Sequence, residues 1–429
     1  FAKDHRYAFF PSVSAAWRIS EENFWQPLKG WWNDMKIRGS YGSLGNQVMD
    51  DLGNFPYLAT YGTNSSYNYL INGSKPVIVK APGLVAPDFT WETVTQMDFG
   101  FDASFLNNRL TGTFDWYRRN TKDMLVAGAT LPATLGASVP KSNSADMKTI
   151  GWELSLGWND RLENGFSYWV KGVLSDYQAT ITKYAGNDAG FYSQSDGDGK
   201  YYVGQKIGEI WGYHSNGLFQ SDDEAATIDQ SELYAGKWGA GDVKYEDLDN
   251  DGKITKGEET IYNPGDKSII GNKTPRYQFG ITVGFDYKNF DFEMFWQGTG
   301  KRDYMLSGAQ FWGFTSQWDV PYTPALDYWT ETNTDAYFPR PGWQNGGNRV
   351  TSDRYLQSAA YGRLKNLTVG YTIPKNLTTK WGISRLRLYV TGENLLTITP
   401  LNDAFDPETL GGMTYPINRK VAIGLNLTL

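Results

Sequence analysis

The 429-residue chain has no cysteine and only two histidines, His5 and His214, so disulfides, thiolate metal sites, histidine-based triads and zinc sites are not indicated. Its formal charge of −7, with no basic cluster longer than a pair, argues against nucleic acid as a partner. No apolar run approaches ~20 residues, which excludes transmembrane helices.

Segments in which apolar residues alternate with small or polar ones recur along the whole chain. In 279–287, for example, Phe279, Ile281 and Val283 alternate with glycine and threonine. A period of two is typical of a β-strand with one apolar face. Small polar residues on the other face suit a water-filled lumen better than a packed core. Eleven strands are predicted, at 6–19, 35–45, 93–106, 109–125, 144–159, 166–181, 275–287, 290–300, 358–373, 386–399 and 419–429.

The connections between these segments alternate in length. Short connections are predicted at 20–34, 107–108, 160–165, 288–289 and 374–385. Long connections are predicted at 46–92, 126–143, 182–274, 301–357 and 400–418. An up-and-down antiparallel β-barrel that spans a membrane has this pattern, with tight periplasmic turns and long external loops. The sequence therefore predicts an all-β transmembrane barrel.

Aromatic residues gather near the short connections, where an interfacial belt would lie. Aromatic residues also favour strands in general, and that alternative stays open. The residues concerned are Trp17, Trp31, Trp32, Phe105, Trp158, Phe166, Tyr168, Trp169, Tyr287, Phe290, Tyr371 and Trp381.

The number of predicted strands is odd. An open set of eleven strands would present two unpaired edges to lipid, at a cost of several kcal/mol for each unsatisfied amide. Bacterial barrels have even strand counts. We therefore expect further strands upstream of Phe1, with 419–429 pairing to one of them.

Several stretches carry a family resemblance that covers nearly the whole chain. They are YAFFPSVSAAWRISEE at 7–22, KIRGSYG at 36–42, GLFQS at 217–221, RLKNLTVGY at 363–371 and GENLLT at 392–397. With these motifs the chain resembles the C-terminal half of a SusC-like TonB-dependent outer-membrane transporter. It differs in ending with Leu429, where outer-membrane barrels often end in phenylalanine.

The resemblance has several implications for fold, partners and location. It implies that residues 1–429 form about 11 strands of a 22-stranded barrel in the outer membrane of a Gram-negative cell. It also implies an N-terminal plug with a segment that contacts TonB, and it places the plug and that segment outside this sequence. The partner that it implies is a SusD-like surface lipoprotein.

One segment matches a calcium-binding motif. Residues 247–258, DLDNDGKITKGE, fit the twelve-residue loop D-x-[DN]-x-[DN]-G-x₅-E without a mismatch. The motif assigns carboxylate ligands, a backbone carbonyl, a ligand acting directly or through water, and a bidentate glutamate. Gly252 permits the sharp turn, and Ile254 is expected to anchor the loop. An acidic solvated turn is the alternative. The predicted Ca²⁺ ligands are Asp247, Asp249, Asp251, Lys253, Thr255 and Glu258.

Aromatic residues also crowd the long loops, beside asparagine, glutamine and aspartate side chains. Such rings suit sugar C–H faces, although packing of the loops on one another is the alternative for any single ring. The loops at 46–92, 182–274 and 301–357 are expected to form a vestibule that docks the lipoprotein. The predicted substrate-binding rings are Trp211, Tyr213, Trp312 and Trp343.

Three functions fit these patterns. The first is TonB-dependent import of a large nutrient, an oligosaccharide, across the outer membrane. The others are a secreted all-β glycoside hydrolase with calcium-bound loops and a calcium-dependent glycan-binding protein. No pair of carboxylates is set apart by spacing for acid–base chemistry, so no catalytic residue is predicted. The alternation of loop lengths favours a transporter over an enzyme.

Overall fold

The computed structural model describes residues 6–46, 57–64, 70–86, 90–128, 132–137, 139–192, 200–410 and 415–429. Nineteen strands are present in these ranges. They are β1 Ser12–Trp17, β2 Trp32–Asn46, β3 Gly62–Asn64, β4 Ile78–Lys80, β5 Glu92–Phe105, β6 Leu110–Ala127, β7 Lys141–Arg161, β8 Ser167–Tyr184, β9 Glu209–Tyr213, β10 Ser215–Leu218, β11 Val243–Tyr245, β12 Lys267–Asn272, β13 Arg276–Tyr287, β14 Phe290–Lys301, β15 Asp303–Met305, β16 Leu356–Ser358, β17 Tyr361–Thr372, β18 Arg385–Ile398 and β19 Lys420–Thr428.

Eleven of these strands form one antiparallel sheet. Its order is β1-β2-β5-β6-β7-β8-β13-β14-β17-β18-β19, so every strand lies beside its neighbours in chain order. The other four sheets have two strands each and lie within the long connections. The predicted all-β, up-and-down architecture of eleven strands is confirmed. Within the described residues, β1 and β19 are the two edges of the sheet.

The alternation of short and long connections is also confirmed. Strands β5 and β6 are joined by residues 106–109, β7 and β8 by 162–166, and β13 and β14 by 288–289. Between β8 and β13 the chain makes an excursion of residues 185–275, and between β14 and β17 one of 302–360. Because alternate connections lie at opposite ends of an up-and-down sheet, the long loops share one end.

Aromatic side chains meet one another beside the short turns. Trp31 and Trp32 stack on Phe105, with ring centroids 6.0 and 5.1 Å away. Phe290 lies 4.7 Å from Tyr371, with the two ring planes tilted by 51°. Trp32 and Phe105 lie on the paired strands β2 and β5, and Phe290 and Tyr371 on the paired strands β14 and β17, so the rings meet across neighbouring strands.

The two faces of the sheet differ in polarity. On β19, Ile423 is 84% exposed and Leu425 is 61% exposed, and both belong to the apolar face of the strand. The wall of a membrane barrel has such a face where it meets lipid. The opposite face carries ion pairs across strands. Arg38 on β2 donates from Nη1 to Asp115 Oδ1 on β6 at 2.5 Å, and Arg387 on β18 pairs with Asp291 on β14.

The small residues predicted on the inner face have a second use. Trp169 on β8 lies across Gly284 on β13, and a Cβ atom built at Gly284 would come within 2.2 Å of the Trp169 ring. Tyr117 lies across Gly151 with a corresponding distance of 2.5 Å. The glycines therefore make room for large neighbouring side chains, and the inner face holds more rings and charges than the alternation alone indicates.

Helices are short. The α-helices are α1 Asp222–Ala225, α2 Ala309–Trp312 and α3 Lys375–Thr378. The 3₁₀ turns are Ile19–Glu21, Asn23–Leu28, Ala133–Leu135, Thr323–Leu326, Gly346–Arg349 and Thr379–Trp381. None of the helices in the described ranges has the length and apolar character needed to cross a bilayer.

Candidate functional site in the long loops

Three long loops share one hydrophobic core. The loop between β8 and β13 contributes Tyr213 and Tyr245, the loop between β14 and β17 contributes Phe311, and the loop after β18 contributes Leu401. We call this cluster the loop core. Burial of each large apolar side chain contributes about 1.5–3 kcal/mol, so the loops stabilise one another. Its members are Tyr213, Leu218, Val243, Tyr245, Ile254, Leu306, Phe311, Trp312, Phe338, Tyr355, Ala359, Leu401, Phe405 and Leu410.

A buried carboxylate also joins two of these loops. Asp242, 1% exposed, accepts hydrogen bonds from Arg340 Nε at 3.0 Å and Nη2 at 2.6 Å. Asn348 donates to the same carboxylate at 2.8 Å. A paired and fully hydrogen-bonded charge of this kind is costly to break, because the remaining partner would stay buried and unpaired.

The third loop is tied to the barrel wall. Arg363 on β17 is only 2% exposed and pairs with Asp406 at 2.5 Å and Glu408 at 3.1 Å. The same Glu408 pairs with Lys365 at 2.9 Å. The loop after β18 therefore lies against β17, where it closes one side of the loop core. The expectation that 46–92 joins this assembly lies in part on residues 47–56, 65–69 and 87–89, outside the described ranges.

The predicted calcium loop, residues 247–258, folds around its first aspartate. Asp247 accepts backbone hydrogen bonds from Asn250 at 2.7 Å and Gly252 at 2.7 Å. Asn250 and Gly252 have φ of 62° and 83°, so the chain turns sharply at the expected glycine. Ile254 is fully buried in the loop core, where it anchors the loop.

The acidic side chains that meet here are only partly those of the motif. Carboxylate oxygens of Asp247, Asp249 and Asp266 lie within 4.8 Å of one another. Asp266 follows the motif and is fully buried; it accepts hydrogen bonds from the backbone of Leu248 and Thr255, each at 2.7 Å. The structure thus brings two predicted ligands together with a third that the motif does not contain.

The remaining predicted ligands lie around this cluster. Asp251 is exposed, and its Oδ1 accepts a hydrogen bond of 2.8 Å from the backbone N–H of Lys253 in the same loop. Lys253 pairs with Asp229 in a parallel bridge. Glu258 is exposed, and its backbone N–H donates to Asn263 O at 3.0 Å. The ligand set therefore remains a prediction.

The donor set fits a hard cation such as Ca²⁺. Calcium takes six to eight oxygen ligands at about 2.3–2.6 Å, so two of its ligands can lie at most roughly 5 Å apart. The three carboxylates satisfy that limit. Asp247, Asp249 and Asp266 are the residues that would hold the ion, and its charge would offset the repulsion among them.

Two of the four predicted substrate rings line one cleft. Trp211 and Tyr213 project from β9 into a cavity of about 350 Å³, which we call the Trp211 cleft. One face of Trp211 stacks on Tyr192 at 4.2 Å. Tyr213 is 2% exposed and belongs to the loop core as well. The lining residues are Trp211, Tyr213, Glu232, Leu233, Lys256, Lys267, Arg349, Val350 and Thr351.

The other two rings lie elsewhere. Trp312 is 8% exposed and packs edge-on against Tyr355 at 4.6 Å, so its main contact is with protein. It borders a crevice of only about 20 Å³. Trp343 is 45% exposed at the surface. The four rings therefore do not converge on a single cavity.

Arg349 connects these ring positions. It lines both the Trp211 cleft and the small crevice beside Trp312, and its Nη2 donates to the carbonyl of Trp343 at 2.9 Å. Sequence reasoning missed Arg349, which carries no motif. It also missed Asp266, although the turn Asn263-Pro264-Gly265 signals that the chain reverses just before that residue.

Comparison with known proteins places the chain in a family. The family model described as TonB dependent receptor-like, beta-barrel matches residues 1–395. The chain belongs to the TonB-dependent receptor-like β-barrel family. Members of this family lie in the outer membrane, and the apolar outer face of the sheet is where the protein meets lipid.

Curated relatives carry the same family name. TonB-dependent receptor P3 of Formosa agariphila is 30% identical over 467 residues, which cover 100% of this chain and 42% of that protein. TonB-dependent receptor SusC of Bacteroides thetaiotaomicron is 27% identical over 434 residues, covering 100% of this chain and 40% of that protein. The chain therefore spans about two fifths of the length of these receptors.

A solved structure has the same fold. The RagAB peptide transporter superposes with a TM-score of 0.77 at 23% identity, covering 100% of this chain and 44% of that one. The eleven strands and their loops correspond to under half of that chain. The predicted family and fold are confirmed. The peptide in the name of the RagAB transporter is a ligand of that protein.

Proposed function

We propose that the protein containing this chain imports a nutrient, an oligosaccharide, across the outer membrane in a TonB-dependent manner. The observation that carries the proposal is the union of three long loops in one loop core at one end of a barrel wall. Long loops are costly in conformational entropy unless they are used. A folded assembly of this kind, with clefts and accessible rings, supports capture of a solute before it enters the lumen.

We further propose that a SusD-like surface lipoprotein docks on these loops and that TonB acts through an N-terminal part of the protein. One segment supports the docking. Trp318 and Val320 in the loop between β14 and β17 are 83% and 77% exposed, and Leu326 follows at 61%. Apolar side chains of this size grouped on a surface mark interaction sites.

In this proposal the protein is a transporter and not an enzyme. The secreted hydrolase and the secreted glycan-binding protein are the competing functions. Neither requires the apolar outer face that Ile423 and Leu425 present along a whole strand. A wall of this kind supports membrane insertion, and the named relatives are receptors.

Calcium binding by the acidic loop is a part of the same proposal. The loop is joined to the segment that precedes it: Ile254 N–H donates to Asp229 O at 2.7 Å, and Asp229 N–H donates to Gly252 O at 3.1 Å. An ion held by Asp247, Asp249 and Asp266 would fix this junction beside the Trp211 cleft. External calcium is abundant, so a site of about 10⁻⁴–10⁻³ M affinity would suffice.

The test is uptake by cells. A strain that lacks the full-length transporter is complemented with the wild-type gene, and uptake of labelled oligosaccharides is measured with and without functional TonB. We expect uptake that requires both the transporter and TonB, and co-purification of a lipoprotein with the wild type. Oligosaccharide uptake that is unchanged when the transporter is deleted would contradict the proposal.

A further inference from the structure

The Trp211 cleft has the dimensions of a ligand site. It lies between β9, β12 and residues 349–351, and its volume of about 350 Å³ falls within the range of about 300–1,000 Å³ that is usual for small-molecule sites. Its walls come from two different loops that the loop core holds together. The cleft is therefore supported by packing on both sides.

Positive charge dominates the lining. Lys256, Lys267 and Arg349 face one carboxylate, Glu232, in a chain whose formal charge is −7. Lys267 is 9% exposed; its ammonium lies 3.3 Å from Glu259 and 5.4 Å from the ring centroid of Tyr213. A concentration of cations in an acidic protein favours an anionic ligand, because it raises the local concentration of anions.

Tyr213, one of the lining residues, has a buried hydroxyl that lacks a hydrogen-bond partner. Tyr213 is 2% exposed, and within the described residues its Oη makes no hydrogen bond. Buried hydroxyls are nearly always paired, so an orphaned one indicates a missing acceptor or donor. The ammonium of Lys267 lies over the same ring, which makes an anionic oxygen the fitting partner.

Apart from the two aromatic rings and the aliphatic side chains of Leu233 and Val350, the lining is polar. Glu232 and Thr351 can accept hydrogen bonds from hydroxyl groups. A ligand with one carboxylate and several hydroxyls matches this combination better than a neutral sugar, which offers no anionic group to the lysines or to the Tyr213 hydroxyl.

We propose that the Trp211 cleft binds an acidic sugar residue, with its carboxylate toward Tyr213, Lys256 and Lys267 and its hydroxyls toward Glu232 and Thr351. This rests on the proposed import of an oligosaccharide and narrows its substrate to carboxylate-bearing glycans. Lys256 also belongs to the acidic loop, so the fold of that loop sets one wall of the cleft.

The test measures binding of trigalacturonic acid to the purified full-length transporter by calorimetry, with a neutral trisaccharide and a short aspartate peptide as comparison ligands. Tyr213→Phe removes the unpaired hydroxyl and keeps the ring. Lys256→Met removes one cation. Lys237→Met is the matched control, because Lys237 is a 79% exposed lysine of the same loop outside the cleft.

We expect trigalacturonic acid to bind more tightly than the neutral sugar and the peptide, and the affinity to fall as salt rises. Tyr213→Phe and Lys256→Met should each weaken binding about tenfold, since each removes a contact to a charged group. Tyr213→Phe should melt at the same or a higher temperature than the wild type, which a purely structural role of the hydroxyl would not allow. Lys237→Met should bind as the wild type does.

Equal affinity of the wild type, Tyr213→Phe and Lys256→Met would overturn the inference, and so would tighter binding of the neutral sugar or of the peptide. Uptake separates this inference from the proposed function. TonB-dependent uptake of a neutral oligosaccharide, without binding of trigalacturonic acid, would contradict the acidic-sugar site and support the proposed import. The expected binding pattern together with TonB-independent uptake supports the site and contradicts the proposed mode of import.

Discussion

His214 Nδ1 lies 2.7 Å from Asp353 Oδ2 and joins two loops that are far apart in sequence. The other ring nitrogen, Nε2, lies 2.7 Å from Ser268 Oγ on β12. Asp353 accepts a second hydrogen bond from Ser215 N–H at 3.0 Å. The one histidine in the described residues thus holds the loop between β8 and β13 against the loop between β14 and β17.

Removing this tie should loosen the loops without unfolding the barrel. Asp353→Ala deletes both hydrogen bonds to the carboxylate, each worth about 1 kcal/mol in net stability. We expect faster amide hydrogen exchange in residues 209–215 and 350–356, and unchanged exchange in β5, β6 and β7. Asp335→Ala, at an exposed aspartate of the same loop, is the control. Equal exchange rates in the two variants would show that the tie contributes nothing.

Calcium binding should depend on the Asp266 side chain more than on the Glu258 side chain. The buried carboxylate of Asp266 is within the cluster, whereas Glu258 is exposed and outside it. Leu248 N–H donates to Asp266 Oδ1 and Thr255 N–H to Oδ2, so Asp266→Asn keeps an acceptor for only one of these two backbone groups. We expect calcium to protect residues 245–267 of the wild type from proteolysis, and Asp266→Asn to raise the calcium concentration required about tenfold.

Glu258→Gln is the matched comparison for that experiment. It should change the concentration required by less than about threefold, since its side chain is outside the cluster. A larger effect of Glu258→Gln than of Asp266→Asn would restore the ligand set of the motif. If calcium gives no protection at any concentration, the acidic loop is a solvated turn.

The strands were predictable because their signal is local. Strand β13, predicted at 275–287, is Arg276–Tyr287, and β14, predicted at 290–300, is Phe290–Lys301. Each strand repeats its apolar face every second residue, so no knowledge of distant residues is needed. The first strand is shorter than its pattern: β1 is Ser12–Trp17 rather than 6–19.

The inner face was less predictable, because strand pairing brings together residues that are distant in the chain. Glycine at 284 reads as a small lumen residue, but its role follows from Trp169 on the neighbouring strand. We expect Gly284→Val to destabilise the barrel by about 1–3 kcal/mol, since the Trp169 ring would have to move. Gly172→Val is the control, because a Cβ there meets nothing within 4 Å. The folded fraction on heat-modifiable gels measures both.

A second substitution makes that prediction specific. Trp169→Ala should remove most of the extra cost of Gly284→Val, since the clash and its partner are then both absent. If the destabilising effects of Trp169→Ala and Gly284→Val simply add in the double variant, the ring and the glycine do not interact.

The candidate site was predictable only in part, for the same reason. Residues 247–258 carry their motif in twelve consecutive positions, and the sharp turn and the buried Ile254 follow from it. Asp242 and Arg340 are 98 positions apart, and no local pattern links them. Which rings face a cleft depends on such long-range contacts, so composition identifies aromatic loops but not their exposed members.

The two tryptophans at 312 and 343 should therefore behave differently when replaced. Trp312 is packed against Tyr355 and Phe311, at 4.6 and 5.0 Å, so Trp312→Ala leaves a void in the loop core and should cost about 3–5 kcal/mol of local stability.

Trp343 is 45% exposed, and Trp343→Ala should leave the melting temperature and the proteolysis pattern of the loops unchanged. Loss of its accessible ring should instead weaken oligosaccharide binding by about three- to tenfold, if the ring stacks on sugar. Trp381→Ala, at a 63% exposed tryptophan beside a short turn, controls for loss of an exposed ring. Stability by differential scanning fluorimetry, loop cleavage by protease and binding by calorimetry separate these effects. Binding by Trp343→Ala equal to that of Trp381→Ala and the wild type would remove Trp343 from the substrate path, and a normally folded loop core in Trp312→Ala would contradict its assignment as a core residue.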